Sequence, residues 1–444
     1  MSDHENTGHN PLWTRLIGLG VPGLILSLMI GSGGIWDPYE LNVADLSRRI
    51  AIHVWGAKSL IIADSDNAMP NLGDLGRGEL PFTSIGAGFA AFGLHEWAGR
   101  LPLALWAMVG IVAIYWLFKR LSDERAAACA TIVLSTTPMY FVQARTMLGD
   151  IVTMSALSIA VSGLAIAVFD REGRRIPPLV VGIVGLAAGL MCRGALFGIA
   201  IPALTVGLAW LVTAASRRSE KSDRFGTYTA AASLAIGAFA AIMGIRGYAH
   251  LEKGIFSIWM SVPLQPQSQW PTFESVILLL GHGLFPWSAF IPLVVGRLFR
   301  APQGLSGDAE EREISLRTIL LLGSALAFGA HAFIAPKTGL MPFVGVPLLA
   351  GIAAVALRDF ARGAPPSKAL AIGSVLFIAL FYRDFSMFPE KGFSAFAVNA
   401  TSFPETFGKS AGLIILITSA IFSVFVFASW LEQDDPEKGV FRVA

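Results

Sequence analysis

The chain alternates long apolar stretches with short charged connections. The apolar runs fall at 16–35, 101–118, 126–143, 151–169, 177–192, 195–214, 226–245, 275–296, 316–335, 339–357, 369–385 and 411–431. Most approach the roughly 20 residues an α-helix needs to cross about 30 Å of hydrocarbon. Backbone polar groups in lipid must be satisfied within the spanning segment itself, which leaves helices as the reading for runs of this length. The pattern predicts an all-α polytopic membrane protein of about twelve transmembrane helices. One further stretch, 80–97, is apolar over much of its length but short and glycine-rich. It predicts a helix lying at the interface rather than a crossing, and counting it as a span would invert every later loop. No long internal repeat and no inter-domain linker is visible, so 1–444 reads as a single transmembrane domain.

The direction of threading follows from the basic residues. The polar start MSDHENTGHNPLWTR has no basic region before the first run and no small-residue cleavage site after it, so that run is expected to be retained as a helix. With the N-terminus in the cytoplasm, the clusters Lys119/Arg120/Arg125, Arg171/Arg174/Arg175 and Arg217/Arg218/Lys221/Arg224 all fall on the cytoplasmic side. About 20 of the 33 Lys and Arg then lie there, as the positive-inside rule requires. The longer connections, beginning with the loop at 36–100 and its interfacial helix, face outward. The tail 432–444 is a solvated cytoplasmic segment.

Composition agrees. Of 444 residues 54% are hydrophobic and 14% charged, against about 25% charged in soluble proteins. A formal net charge of +2 is too small to indicate nucleic acid. Cys129 and Cys192 both sit inside apolar runs, where packing rather than a disulfide is expected.

The outward connections hold the candidate chemistry. Asp37 and Glu40, in GSGGIWDPYELN, follow the first run. Such a carboxylate pair can act as a general base, hold a divalent ion, or remain solvated. Arg145 and Asp150 close the segment ARTMLGD, and a local ion pair at a helix end is the plainer alternative. Arg193, Arg246 and Lys337 lie at outer helix ends, where each alone fits a snorkelling anchor. Together they fit a site for an anionic lipid. His282 and His331 lie inside apolar runs without the spaced partners a metal site needs, and are expected to be packed and hydrogen-bonded. No cofactor is expected. The Asn399-Ala400-Thr401 sequon is a motif common by chance.

Several of these segments, in order, resemble the polytopic GT-C glycosyltransferases of glycosyltransferase family 39, the group of lipid A aminoarabinose transferases and protein O-mannosyltransferases. WDPYELNVADLSRRI is similar to the family's acidic segment after the first helix, GELPFTSIGAGFAAFGLHEWAGRLP to its interfacial helix, and TPMYFVQARTMLGD to its second acidic motif. GLAAGLMCRGAL, GHGLFPWSAFIP and APKTGLMPF resemble later landmarks, so the likeness runs over about 15–358, with EWAGRLP its most specific stretch. The chain departs from the family at Tyr39-Glu40, where adjacent Asp and Glu are usual, at Arg77-Gly78-Glu79, and at Arg193, where lysine is usual.

The resemblance implies inverting transfer of a sugar from a polyprenyl-phosphate donor to a lipid, glycan or protein acceptor at the periplasmic face of a bacterial inner membrane. On that reading Asp37, Glu40 and Asp150 supply the catalytic carboxylates, and Arg145, Arg193 and Lys337 bind the donor phosphate. Tyr39, Arg48, Arg77 and Glu79 are candidate substrate contacts. Two other readings compete. A catalytically degenerate accessory subunit is compatible with the altered first motif, whereas a lipid-sugar transporter would call for midplane charges and repeated halves.

Overall fold

The computed structural model describes residues 11–28, 30–31, 34–35, 39–71, 75, 77–216, 223–249, 277–299, 302, 305–338, 341–361 and scattered positions from 373 to 421. Asp37, the runs 369–385 and 411–431 as continuous elements, the sequon and the tail 432–444 lie outside the described residues. Every described regular element is helical. The chain begins with α1 (Pro11–Arg15), a π turn (Leu16–Gly20) and α2 (Val21–Ser27). Two helices follow in the first long loop, α3 (Tyr39–Val54) and α4 (Leu80–Phe92). The bundle continues with α5 (Glu96–Leu121), α6 (Glu124–Thr136), α7 (Pro138–Arg145), α8 (Asp150–Phe169), α9 (Ile176–Ala195), α10 (Ile201–Val212) and α11 (Arg224–Ala249). It closes with α12 (Ile291–Leu298), α13 (Asp308–Thr338) and α14 (Val346–Ala361).

Five described helical stretches are long and apolar enough to cross a membrane, or six if the bent pair α6–α7 is one span. One of these stretches, Ile176–Val212, is 37 residues long. Its backbone leaves helical geometry at Arg193 and Gly194, so α9 and α10 are two limbs, as the separate runs 177–192 and 195–214 predict. The bend of 65° between α6 and α7 falls at Thr137, which is extended and precedes Pro138; the residue before a proline is pushed out of helical geometry. α4 is 13 residues long, about 20 Å and short of a crossing, in keeping with the interfacial reading.

One expected span is corrected. The run 275–296 does not form a continuous helix among the described residues: a π turn (Ile277–His282) is followed by a 3-10 turn (Trp287–Ala289) and α12. Pro286 sits between them and has no N–H for the helical ladder.

At the centre stands α8, buried along the whole of its apolar window. Helices α5, α9, α10 and α11 pack around it. Being covered on all sides, it needs no polar face, and its sequence DIVTMSALSIAVSGLAIAVF has none beyond small hydroxyls. At about 1.5 Å per residue its two ends are about 30 Å apart. Each carries a carboxylate, Asp150 at one and Asp170 at the other. The basic connections 119–125, 171–175 and the start of α11 gather at the Asp170 end, where Arg120 pairs with Asp170 and Arg175 with Asp223. Asp150 therefore stands at the opposite end of the bundle.

Candidate functional site

Asp150 opens α8, where the unpaired N–H groups of the first turn favour a negative charge. The residue before it, Gly149, has φ +85, and a Cβ there would lie 3.0 Å from Pro81 Cβ and 3.2 Å from Arg77 Nη2. Only glycine turns the chain this way at that closeness, and the turn sets Asp150 against Arg77. Gly78 does the same for the facing strand of chain: a Cβ on it would fall 1.9 Å from the Met191 carbonyl oxygen. Its N–H donates to the Cys192 carbonyl at 2.9 Å, so the Arg77 loop lies directly on the turn that ends α9.

Two guanidiniums converge on the one carboxylate. Arg77 Nη1 donates to Asp150 Oδ2 at 2.8 Å, while Arg193 donates to Oδ1 from Nη2 at 2.5 Å and from Nε at 3.1 Å. All three side chains are at most 8% exposed. Arg77 lies 5.1 Å from the Phe82 ring centroid, and its buried Nε has no hydrogen-bond partner among the described residues. Burial and the second guanidinium of Arg193 push Arg77 below its ordinary pKa, with Asp150 opposing. Arg193 Nη1 reaches Met341 Sδ at 3.7 Å.

The second pair sits beside the first. Arg100, in the EWAGRLP stretch that starts α5, donates to Glu40 Oε1 at 3.0 Å and Oε2 at 2.7 Å. It also donates to the carbonyls of Ile30 and Gly34, so it ties the connection after α2 to the bundle. Glu40 is fully buried and accepts the Met147 N–H at 2.6 Å. The segment 145–150 is thus held at one end by Glu40 and at the other by the arginines on Asp150. Arg145 itself is half-buried, 4.9 Å from the Phe141 ring centroid, and donates to the Ile25 carbonyl. No carboxylate lies within ion-pair distance of it among the described residues.

The other expected residues divide. Arg48 is buried but turns to its own loop, donating to Asp45, the Leu60 and Asp66 carbonyls and Asn67. Glu79 is exposed at the start of α4, and Tyr39 is half-buried at the start of α3. Arg246 is exposed on α11. The backbone of Lys337 belongs to α13, and its side chain lies outside the described residues, as does Asp37. His331 is buried, yet its Nδ1 has no hydrogen-bond partner among the described residues, a correction to the expectation of a satisfied core histidine. Arg100 is the residue that sequence reasoning passed over; an arginine five residues into an apolar helix was the available signal.

A shallow cleft lies at the other end of the bundle, lined by Phe169, Arg171, Trp210, Asp223, Glu311 and Arg312 among others. It does not touch the Asp150 cluster. Among the described residues no group of three or more His, Cys, Asp and Glu is placed to hold a metal ion.

An all-helical membrane bundle with a buried ionic cluster at one end of its central helix defines the class. Residues 81–243, which carry Arg100, Arg145, Asp150 and Arg193, match the sequence family described as dolichyl-phosphate-mannose-protein mannosyltransferase. The fold is that of ArnT from Cupriavidus metallidurans. The apo structure of that protein matches with a TM-score of 0.61 at 18% identity over 95% of this chain and 72% of that one. The structure bound to undecaprenyl phosphate matches with a TM-score of 0.62 at 18% identity, over 96% and 73%. None of the curated proteins matches in sequence. The chain therefore has the GT-C fold that its motifs resemble.

Proposed function

We propose that the protein is a membrane glycosyltransferase that moves a sugar from a polyprenyl-phosphate donor to an acceptor at the periplasmic face. The observation that carries this reading is the gathering of Arg77 and Arg193 on the single buried carboxylate of Asp150, with Arg145 close by in sequence and facing no described carboxylate. A buried guanidinium is costly unless matched, and a cluster short of negative charge is matched by an oxyanion. The undecaprenyl phosphate in the ArnT structure supplies the chemical class.

In the transfer, the bond from sugar C1 to the phosphate oxygen breaks and the acceptor oxygen bonds to C1 from the opposite face. The phosphate leaves with the polyprenol, its new charge stabilised by Arg193, Arg77 and Arg145, with Lys337 assigned to the same task by resemblance. The proton of the acceptor passes to a carboxylate. The oxygens of Glu40 and Asp150 are each taken up by arginine donors. Their role here is to position Arg100 and the Arg77–Arg193 pair, which leaves Asp37 as the proton acceptor among the three. No covalent enzyme intermediate is needed, and no metal is assigned.

The same two ion pairs favour a second reading, a non-catalytic accessory subunit, because neither described carboxylate is unoccupied. Mass spectrometry of lipids, glycans and glycoproteins from cells lacking the protein separates the two when paired with complementation. The expected result is loss of one sugar modification, restored by the wild type and not by Asp37→Asn. Restoration by Asp37→Asn would favour the accessory reading, and an unchanged glycan and lipid profile would overturn the transfer reading.

A further inference from the structure

His331 stands where no sequence argument placed a ligand contact. It lies on α13, whose first residue, Asp308, belongs to the opposite charged end through Arg171 at 3.9 Å. Twenty-three residues further along a helix is about 35 Å, which brings His331 to the level of the Asp150 cluster. Its ring meets Phe343 edge-on with centroids 5.9 Å apart. Arg193 touches Met341, two residues before Phe343. Contacts thus run from Arg77 through Asp150 and Arg193 to Met341, and Phe343, two residues further along the chain, meets His331. His331 is 6% exposed and its Nδ1 has no partner among the described residues.

An orphaned buried nitrogen is uncommon in native proteins and calls for a reason. Arg77 Nε and Thr153 Oγ1 are further orphans near Asp150, and Arg77 Nε can only donate, so an anion oxygen suits it. His331 differs. An imidazole in its neutral form carries one N–H and one lone pair. A group that both donates and accepts is matched to a hydroxyl.

We infer that His331 is a specificity-determining residue whose Nδ1 hydrogen-bonds a hydroxyl of the sugar carried by the lipid phosphate, while the arginines hold the phosphate. The inference rests on the proposed function and deepens it.

The test compares binding of bare undecaprenyl phosphate with a panel of undecaprenyl-phosphate hexoses and pentoses, using full-length protein in nanodiscs. The wild type is expected to bind one sugar-bearing lipid more tightly than the bare lipid. His331→Ala should weaken that lipid about tenfold, the worth of one buried neutral hydrogen bond, and leave bare undecaprenyl phosphate unchanged. His331→Asn, whose amide nitrogen or oxygen can occupy the place of Nδ1, should recover most of the loss. Equal weakening of both lipids by His331→Ala, no weakening of either, or a wild type that prefers no sugar would overturn the assignment while leaving the lipid-phosphate site standing. A wild type that binds no undecaprenyl phosphate at all would instead overturn the proposed function, and His331 with it.

Discussion

The two ends of the bundle both bury arginines, and they do so in opposite ways. At the Asp170 end, six guanidiniums (Arg120, Arg171, Arg175, Arg312, Arg317 and Arg358) pair among the described residues with eight carboxylates. Arg358 alone reaches Glu313, Asp359 and Asp123, and so joins α13 and α14 to the turn between α5 and α6. At the Asp150 end Arg77 and Arg193 share Asp150, Arg100 holds Glu40 with half-exposed Glu96 at 3.8 Å, and Arg145 meets no described carboxylate. Charge that is matched within the protein holds helices in register. Two guanidiniums that share one carboxylate, as Arg77 and Arg193 do, are disposed to take an anion as well. On this contrast the proposed site belongs to the Asp150 end and the Asp170 end serves as its scaffold.

The contrast breaks most visibly if its scaffold half is wrong. Glu313→Ala leaves Arg358 and Arg317 without their shared carboxylate, and removing one partner of a buried pair costs about 3–5 kcal/mol. Chemical denaturation in detergent should show a loss of that size, and added undecaprenyl phosphate should not restore it. A loss below about 1 kcal/mol would mean that these pairs behave as exposed ones do.

The site half is sharpened by Arg193→Met. Asp150 keeps Arg77 in this variant, so folding should change by less than in Glu313→Ala. Binding of undecaprenyl phosphate should weaken by about 1.5–3 kcal/mol, the range of a hydrogen bond to a charged group, read by titration in nanodiscs. Loss of fold without loss of binding would reverse the assignment of the two ends. Gly149→Ala comes next in size. It forces a Cβ into left-handed backbone and against Pro81 and Arg77, for about 1–2 kcal/mol. Its loss should appear in stability and in lipid binding together, because the turn that aims Asp150 is the turn that is strained.

How much of this was legible beforehand differs between the ends as well. The spans were legible because lipid forces each crossing to be a long apolar run, and α5, α8, α9 and α10 fall where the runs do. The break at 277–298 was hidden, since hydropathy does not register what Pro286 removes. Asp150 and Arg193 were visible as residues but not as a pair, because 43 positions separate them and only the packing of α9 on α8 brings them together. Glu40 resembled a solvated loop carboxylate until α5 brought Arg100 over it, and the second motif hid its own tether in the Met147 N–H. His331 looks like core in the sequence, which carries no sign of which buried nitrogen is left without a partner among the described residues.

The smallest effect concerns acid. Asp223 lies outside the spans, 22% exposed, facing Arg175 at 2.5 Å and Arg171 at 3.8 Å. Burial opposes its charge, but the Arg175 hydrogen bond, the Gly226 N–H and the two guanidiniums outweigh that and hold the carboxyl below its ordinary range. A carboxyl whose folded pKa is depressed contributes stability above its unfolded pKa, near 3.9, and loses it as pH falls through the folded value. Denaturation midpoints should therefore stay flat on this account from neutrality to about pH 5 and decline below about pH 4. Asp223→Asn should lower the plateau and flatten the decline. An undiminished decline in that variant would assign the acid sensitivity to the Glu313 cluster or to the Asp150 end, and would show that the partly open pair of Asp223 and Arg175 contributes little to the scaffold.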